Sequence, residues 1–307
     1  MMSHPMLQAL LGCLLVVAQL ISTTAAQSPP ATQSADSLSK TDKPSIAILS
    51  YNVRYLNKGD GLDVWDNRRD KVVETIRRGE LIGLQEVVAK QLEFVKLNTP
   101  SLEWYGVGRD DGTETGGEMT AIGWSKERFE VSDKGTFWLS ETPETVGSRG
   151  WDAALPRVAS WISLIDKQTQ KPLLFVNTHF DHRGAEARKQ SATLIRDWIA
   201  THRKSRPAVL VGDLNSLHDS EPLRALAAPP EDASSTLLDA LSHSAHPPTG
   251  ATGTFNSFKE ISEGRRIDHV FFAGDVEVDS FQTLDPKTAS GRFASDHQPL
   301  LVHVQLP

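Results

Sequence analysis

The sequence predicts a single α/β domain, and three observations carry the prediction. Short apolar runs rich in Val, Ile and Leu alternate with segments of helical period. Acids, amides and histidines recur where those runs end, as in Tyr51-Asn52, Gln85-Glu86, Thr178-His179 and Gly212-Asp213. Between Ser45 and Pro307 no second linker interrupts the chain, and no internal repeat divides it, so one large core is expected.

The elements follow in order. Ile46 to Asn52 is expected as a buried strand. Trp65, Val72, Val73 and Ile76, with charged residues between them, share one face of a helix. Leu81 to Gln85 is a second buried strand that ends at Glu86, and Met119 to Trp124, Ala159 to Ile165 and Leu173 to Asn177 supply three more. A longer helix over Gly184 to His202 carries Ala187, Leu194, Ile195, Trp198 and Ile199 on one face. Ala208 to Gly212 stops at Asp213, and Ile267 to Phe272, Val276 to Phe281 and Leu300 to Val304 complete the strands.

The N-terminus reads differently. Leu7 to Ile21 is an uncharged apolar run of signal-peptide length, too short for a membrane span, and Thr24-Ala25-Ala26 offers a cleavage site before Gln27. Residues 1–26 are therefore expected as a signal peptide, 27–44 as a Ser/Thr/Ala/Pro-rich flexible linker and 45–307 as the globular domain. The first six residues lack Lys and Arg, which is off-pattern for a signal peptide. Leu10-Leu11-Gly12-Cys13 offers an alternative, a lipobox with Cys13 lipidated, although the apolar run continues past Cys13 where a lipobox would close it. Either reading implies export to the periplasm or medium, with no stable membrane span in the mature chain.

Cys13 is the only cysteine. The mature chain thus has no disulfide, no thiol nucleophile and no thiolate metal ligand, and any metal must be held by oxygen and imidazole. Lys and Arg number 32 against 39 Asp and Glu, a net charge of −7. That balance disfavours a nucleic-acid partner, which would call for a basic face unless a local patch supplies it, and leans towards a small or lipid phosphate ester; a monomer is expected.

Phosphate-ester hydrolysis needs a hard cation, a base for water and donors for developing charge. Asp213-Leu214-Asn215 closes an apolar strand; on an extended end, i and i+2 share a side, so carboxylate and amide can converge on a phosphate. An Asx turn is the alternative reading. Asp296-His297 pairs an acid suited to metal with an imidazole suited to phosphate, unless it is only a turn before Pro299. His179 and His182 around Asp181 match no zinc-protease spacing. A Glu at position 86 needs a partner that a metal would provide, and Asp268 is placed to orient a histidine unless it belongs to a surface ion pair.

Taken in order, Glu86-Val87 after an apolar strand, Asn177-Thr178-His179, Gly212-Asp213-Leu214-Asn215, Arg266-Ile267-Asp268 and Ser295-Asp296-His297 resemble the endonuclease/exonuclease/phosphatase superfamily, the deoxyribonuclease I-like proteins. The resemblance spans Ser45 to Pro307. It implies a four-layered α/β/β/α sandwich, two mixed β-sheets face to face with helices outside, and a secreted Mg2+-dependent phosphodiesterase or phosphatase, with Mn2+ or Ca2+ as substitutes. By motif, Glu86 would be the principal Mg2+ ligand and Asp296 would complete the metal site, with Asn52 at the metal-bound phosphate or water. Asp213 would orient or deprotonate water, His179 and His297 would contact the phosphoryl group, Asn215 would hold it and Asp268 would orient a histidine.

A closer resemblance is to the secreted bacterial branch, through Tyr105 to Gly112, Gly116-Gly117-Glu118, Gly150 to Arg157 and Asn177 to Gly184. It implies Glu118 as a further acid near the metal. Arg109 and Arg157 are candidate phosphate contacts, since guanidinium suits phosphate oxygens, and Trp151 is a candidate wall for the organic group, or else a core residue. There is no lysine-rich loop for DNA, and His269 stands where an aromatic is commoner. A nuclease or a sphingomyelinase-like phospholipid diesterase is the alternative to a small-molecule hydrolase, and a non-catalytic binding module would be expected to have lost one of these groups.

Overall fold

In the computed structural model the described residues are 44–306. The expected signal peptide, Cys13 and the linker up to residue 43 lie outside them. Twelve strands and four α-helices follow in chain order: β1 (Ser45–Asn52), α1 (Trp65–Ile76), β2 (Leu81–Val87), α2 (Ala89–Asn98), β3 (Leu102–Tyr105), β4 (Met119–Ser125), β5 (Phe129–Trp138), β6 (Val158–Asp166), β7 (Lys171–His179), α3 (Ala185–His202), β8 (Ala208–Asp213), α4 (Glu221–Ala227), β9 (Leu238–Asp239), β10 (Asp268–Ala273), β11 (Glu277–Thr283) and β12 (Leu300–Gln305).

The strands form two six-stranded sheets, β11-β12-β1-β2-β4-β3 and β5-β6-β7-β8-β10-β9. Each is mixed: β1/β2 and β7/β8 are parallel, and the remaining pairs are antiparallel. Alternation along each strand assigns two faces. Ile46 and Ile48 of β1 meet Phe175 of β7 and Val209 and Val211 of β8 in a core between the sheets. The opposite face of β1, through Leu49 and Tyr51, is covered by Val72, Val73 and Ile76 of α1, and by Leu92 and Val95 of α2. On the far side Ile195 and Ile199 of α3, with Leu223 and Leu226 of α4, cover Leu174, Val176 and Leu210. The result is the four-layered α/β/β/α sandwich that the resemblance implies. Each fully buried Leu, Ile or Phe contributes about 1.5–3 kcal/mol, so three such cores hold the layers firmly. Among the described residues no helix is long and apolar enough to cross a membrane.

Parallel β1 and β2, and parallel β7 and β8, end at one edge of the sandwich, and antiparallel β10 and β12 begin there. Asn52, His179 and Asp213 are thus the last residues of their strands, and Asp268 is the first of its own. Strand ends fixed by two ladders are a rigid mount for side chains that must converge.

Candidate active site

The register of the second sheet does most of the assembly. Asp213 faces His179 across the parallel β7/β8 ladder and Asp268 across the antiparallel β8/β10 ladder. His297, just before β12, donates or accepts at Nδ1 with Asp268 Oδ2 at 2.8 Å and brings Nε2 within 3.7 Å of Asp213 Oδ2. Asn52 arrives from the other sheet, and its Nδ2 donates to Asp213 Oδ2 at 3.0 Å and to Glu86 Oε1 at 3.1 Å. All of these groups except Glu86 are buried.

Glu86 requires a backbone exception. On β2 the inward face is Leu81, Gly83 and Gln85, while Ile82 and Leu84 face the α1 layer. Plain alternation would send Glu86 towards the helices. Instead the β2/β4 register slips between Leu84 and Val87, with Leu84 opposite Ala121 but Val87 opposite Met119, and Glu86 adopts φ 61°. A bulge of this kind re-aims a side chain, and here Glu86 enters the cleft, where its Oε2 accepts from Tyr55 N at 3.0 Å. The bulge is braced from the opposite sheet. Asn177 Nδ2 donates to the carbonyls of Leu84 and Ala121, each at 2.9 Å, and Asn177 Oδ1 accepts from Gln85 Nε2 at 2.7 Å.

Asn215 departs from the extended geometry expected of it. It sits at φ 45°, and its N–H donates to Asp213 Oδ1 at 2.9 Å, which is the Asx-type turn. The turn itself brings Asn215 Nδ2 to 3.2 Å from His179 Nε2 and 3.1 Å from the Phe180 carbonyl, so the turn and the convergence are one feature.

Burial sets the protonation states. Asp213 is pushed up to about 7 by burial and by Asp268, against the pull of His297 and Asn52. Burial opposes the charge on His297, but Asp268 and Asp213 outweigh it and hold the imidazolium well above its ordinary range. His179 goes the other way: burial, then the Arg157 and Arg109 guanidiniums, keep it neutral. Its 3.5 Å approach to Asp213 is therefore a contact with a neutral ring, not an ion pair. Burial and the Glu86 charge raise Asp296, with relief from His297 and Arg54.

Glu86, His179, Asp213, Asn215, Asp296 and His297 line a cleft of ≈ 700 Å3 that also takes in Arg109, Glu118 and Arg157, whereas Asn52 and Asp268 are not among its lining residues. Arg109 holds both Glu118 oxygens, at 2.8 and 2.9 Å, and burial raises Glu118 despite that partner. Arg157 donates to Asp181 Oδ2 at 3.3 Å and meets His182 Nδ1 at 3.0 Å. Trp151 is not among the lining residues; it is half-buried at φ 51°, with its N–H on the Glu141 carboxylate. The cleft also holds residues not singled out from the sequence, chiefly Arg54, Tyr55, Asp60, Phe255, Phe258 and Arg265. Only Arg54 carried a signal, its place two residues after Asn52; the others come from loops without period.

Oxygen and imidazole donors suited to a divalent cation converge here. Glu86, His179 and Asp213 form one such group and Asp213, Asp268 and His297 another, with donor atoms within 4.8 Å of one another. His182 belongs to neither group, which leaves the zinc-type pairing of His179 with His182 without support. The residues fit a hard cation, because Glu86 and Asp213 bring carboxylate oxygens within 4.8 Å of one another in the cleft that Asp296, a member of neither group, also lines. Asn52 turns its amide nitrogen to the carboxylates while its Oδ1 accepts from Arg54 N at 2.9 Å, so it links Glu86 and Asp213 as a donor.

Comparison with known proteins identifies the fold and the family. The family model described as "Endonuclease/Exonuclease/phosphatase family" matches residues 49–297. An endonuclease/exonuclease/phosphatase from Bacteroides vulgatus superposes with TM-score 0.80 at 36% identity, over 86% of this chain and 100% of that one. A mannosyl-6-phosphatase from Bacteroides thetaiotaomicron gives 0.76 at 33%, over 84% and 99%. The human Nocturnin catalytic domain, at 19% identity and 0.67 over 86% and 96%, shares the fold. An uncharacterized protein of Acanthamoeba polyphaga mimivirus is 22% identical over 211 residues, 57% of this chain, and the chain spans only 31% of its length. With that family match over residues 49–297, the chain belongs to the endonuclease/exonuclease/phosphatase family and is a hydrolase of phosphate esters.

Proposed function

We propose that this chain is an exported, Mg2+-dependent hydrolase of small-molecule phosphate esters. The observation that carries the reading is Asp213, held between neutral His179 and the Asp268–His297 pair and raised to about 7. A buried carboxylate near 7 is matched to accept a proton from water at neutral pH. Water attacks phosphorus as its proton passes to Asp213, and the ester P–O bond opens, the departing oxygen taking a proton from solvent to leave as the alcohol. Charged His297, fixed by Asp268, donates to a phosphoryl oxygen, while Asn215 and His179 orient the group. Glu86 and Asp296 are the proposed holders of the cation, which supplies neutralisation of phosphate charge and acidification of water; Mn2+ and Ca2+ are proposed substitutes.

The net charge of −7 and the likeness to a mannosyl-6-phosphatase support a small ester over a nucleic acid. The apolar run from Leu7 to Ile21 supports export, and the chain is proposed to act as a monomer.

The test uses the protein from Gln27 to Pro307 with Mg2+ and a panel of phosphate mono- and diesters. Addition of EDTA, and Asp213→Ala, are each expected to abolish turnover. Full activity under either condition would sink the mechanism, and turnover of nucleic acid above every small ester would move the substrate class.

A further inference from the structure

Arg54 occupies a backbone conformation that an L side chain adopts at a cost, φ 56°, inside the cleft. The fold holds it there from three directions. Its N–H donates to Asn52 Oδ1 at 2.9 Å, and its carbonyl accepts from Gln91 Nε2 at 2.9 Å and from Arg68 Nη2 at 2.9 Å. Arg68 is itself fully buried and also bonds the carbonyls of Asp63, Val53 and Ala294, so it ties the Arg54 turn to the segment that leads into Asp296. Strain that is this over-determined is characteristic of functional positions.

The side chain is as constrained as the backbone. Asp60 grips one edge of the guanidinium, taking Nε at 3.1 Å and Nη2 at 2.9 Å, and Asp60 Oδ1 is fixed in turn by Asn57 Nδ2 at 2.7 Å. The remaining nitrogen, Nη1, lies 3.7 Å from Asp296 Oδ2, outside hydrogen-bond range. A rigid cation thus presents one unspent donor edge beside Asp296, on the wall of the cleft where the phosphoryl group is to sit.

We propose that Arg54 binds the phosphoryl group of the substrate and selects phosphomonoesters over phosphodiesters. The proposal rests on the hydrolase reading above. A monoester at neutral pH carries nearly two negative charges and three unesterified oxygens, whereas a diester carries one charge and two such oxygens. Neutralising the second charge and capping the third oxygen calls for one further cationic donor, and guanidinium matches phosphate geometry. In a diester that third position carries the second organic group, which would press against the Arg54–Asp60 pair. The spread of charge over three oxygens in monoester transfer makes such a donor more valuable in the transition state than in the ground state.

The experiment compares the wild type with Arg54→Gln, Arg54→Lys and Arg54→Gly, the last because glycine accepts φ 56° without strain. With Mg2+, kcat/KM is measured for 4-nitrophenyl phosphate and for bis(4-nitrophenyl) phosphate, and binding of orthophosphate and dimethyl phosphate is measured by calorimetry. Arg54→Gln and Arg54→Gly are expected to lose roughly a hundredfold on the monoester and only a few-fold on the diester. Arg54→Lys should recover part of the loss. Orthophosphate binding should weaken at least about tenfold, with dimethyl phosphate unaffected. Equal losses on both esters, or unchanged orthophosphate binding, would overturn the assignment, because a merely structural role for Arg54 would not change that ratio. A wild type that cleaves neither ester, yet binds orthophosphate through Arg54, would overturn the hydrolase reading and leave Arg54 as an anion ligand.

Discussion

Asn177→Leu removes the brace behind Glu86 at nearly constant volume. The side chain makes three hydrogen bonds in a site without solvent exposure: to the Leu84 and Ala121 carbonyls, and from Gln85 Nε2. At about 1 kcal/mol net for each, the folded state should lose about 3 kcal/mol. That is a large share of the roughly 5–15 kcal/mol that holds such a domain together. The loss should appear in urea unfolding as a lower midpoint with an unchanged slope. Since the two carbonyls belong to the Leu84–Ala121 pair at which the register slip that aims Glu86, the proposed Mg2+ ligand, begins, the Mg2+ concentration for half-maximal activity should also rise, by about 10–100-fold as for other groups that orient metal ligands. A midpoint within error of the wild type, or an Mg2+ requirement shifted by less than about twofold, would refute the idea that Asn177 sets the bulge.

Three further outcomes are expected. Asp213 stands near 7 in the folded protein against an ordinary 3.8, so stability from its proton uptake is present below about 3.8 and is lost as pH rises towards 7; in metal-free buffer the wild type should lose stability relative to Asp213→Asn across that window, and parallel curves would contradict the assignment. Asp268→Asn should lower turnover by about 10²–10⁴-fold, with the deficit growing as pH rises, because His297 loses the partner that keeps it charged; a pH-independent deficit would argue against that role. Gly83→Ala would bring a methyl group to 2.8 Å from Asn177 Cγ, and thermal melts should register about 1–3 kcal/mol of destabilisation, whereas a neutral result would mean that the sheets separate there without penalty.

The apolar runs identified most of the buried strands, because a strand covered on both faces is written almost wholly in Val, Ile and Leu. They missed β5, whose Glu130, Asp133 and Lys134 lie on an edge strand with solvent beside it. They also missed α2 and α4, which are short and weakly patterned, and β3 and β9, too brief for any period to show. At the site, His179, Asp213 and Asp268 were legible because strand ends place them and a ladder aligns them. The orientation of Glu86 was not, since alternation points it the wrong way and only a backbone exception corrects it. Arg54 stands two residues after Asn52, but the left-handed turn that aims it is held by the distant Gln91 and Arg68, which no local pattern shows. Asn177 read as part of the Asn-Thr-His motif, while its partners on β2 and β4 belong to the other sheet.

The division of these groups between the two sheets has a consequence for how the protein comes to work. Asn52 and Glu86, with Asp296 and His297 leading into β12, belong to one sheet, and His179, Asp213 and Asp268 belong to the other. The first sheet lacks the proposed proton acceptor, and the second lacks His297 and the proposed cation holders Glu86 and Asp296. Catalysis is therefore an emergent property of their apposition, as a lock needs both plate and bolt. A partly assembled chain, with each sheet formed but the apolar interior between them still open, would have native-like ladders and no chemistry.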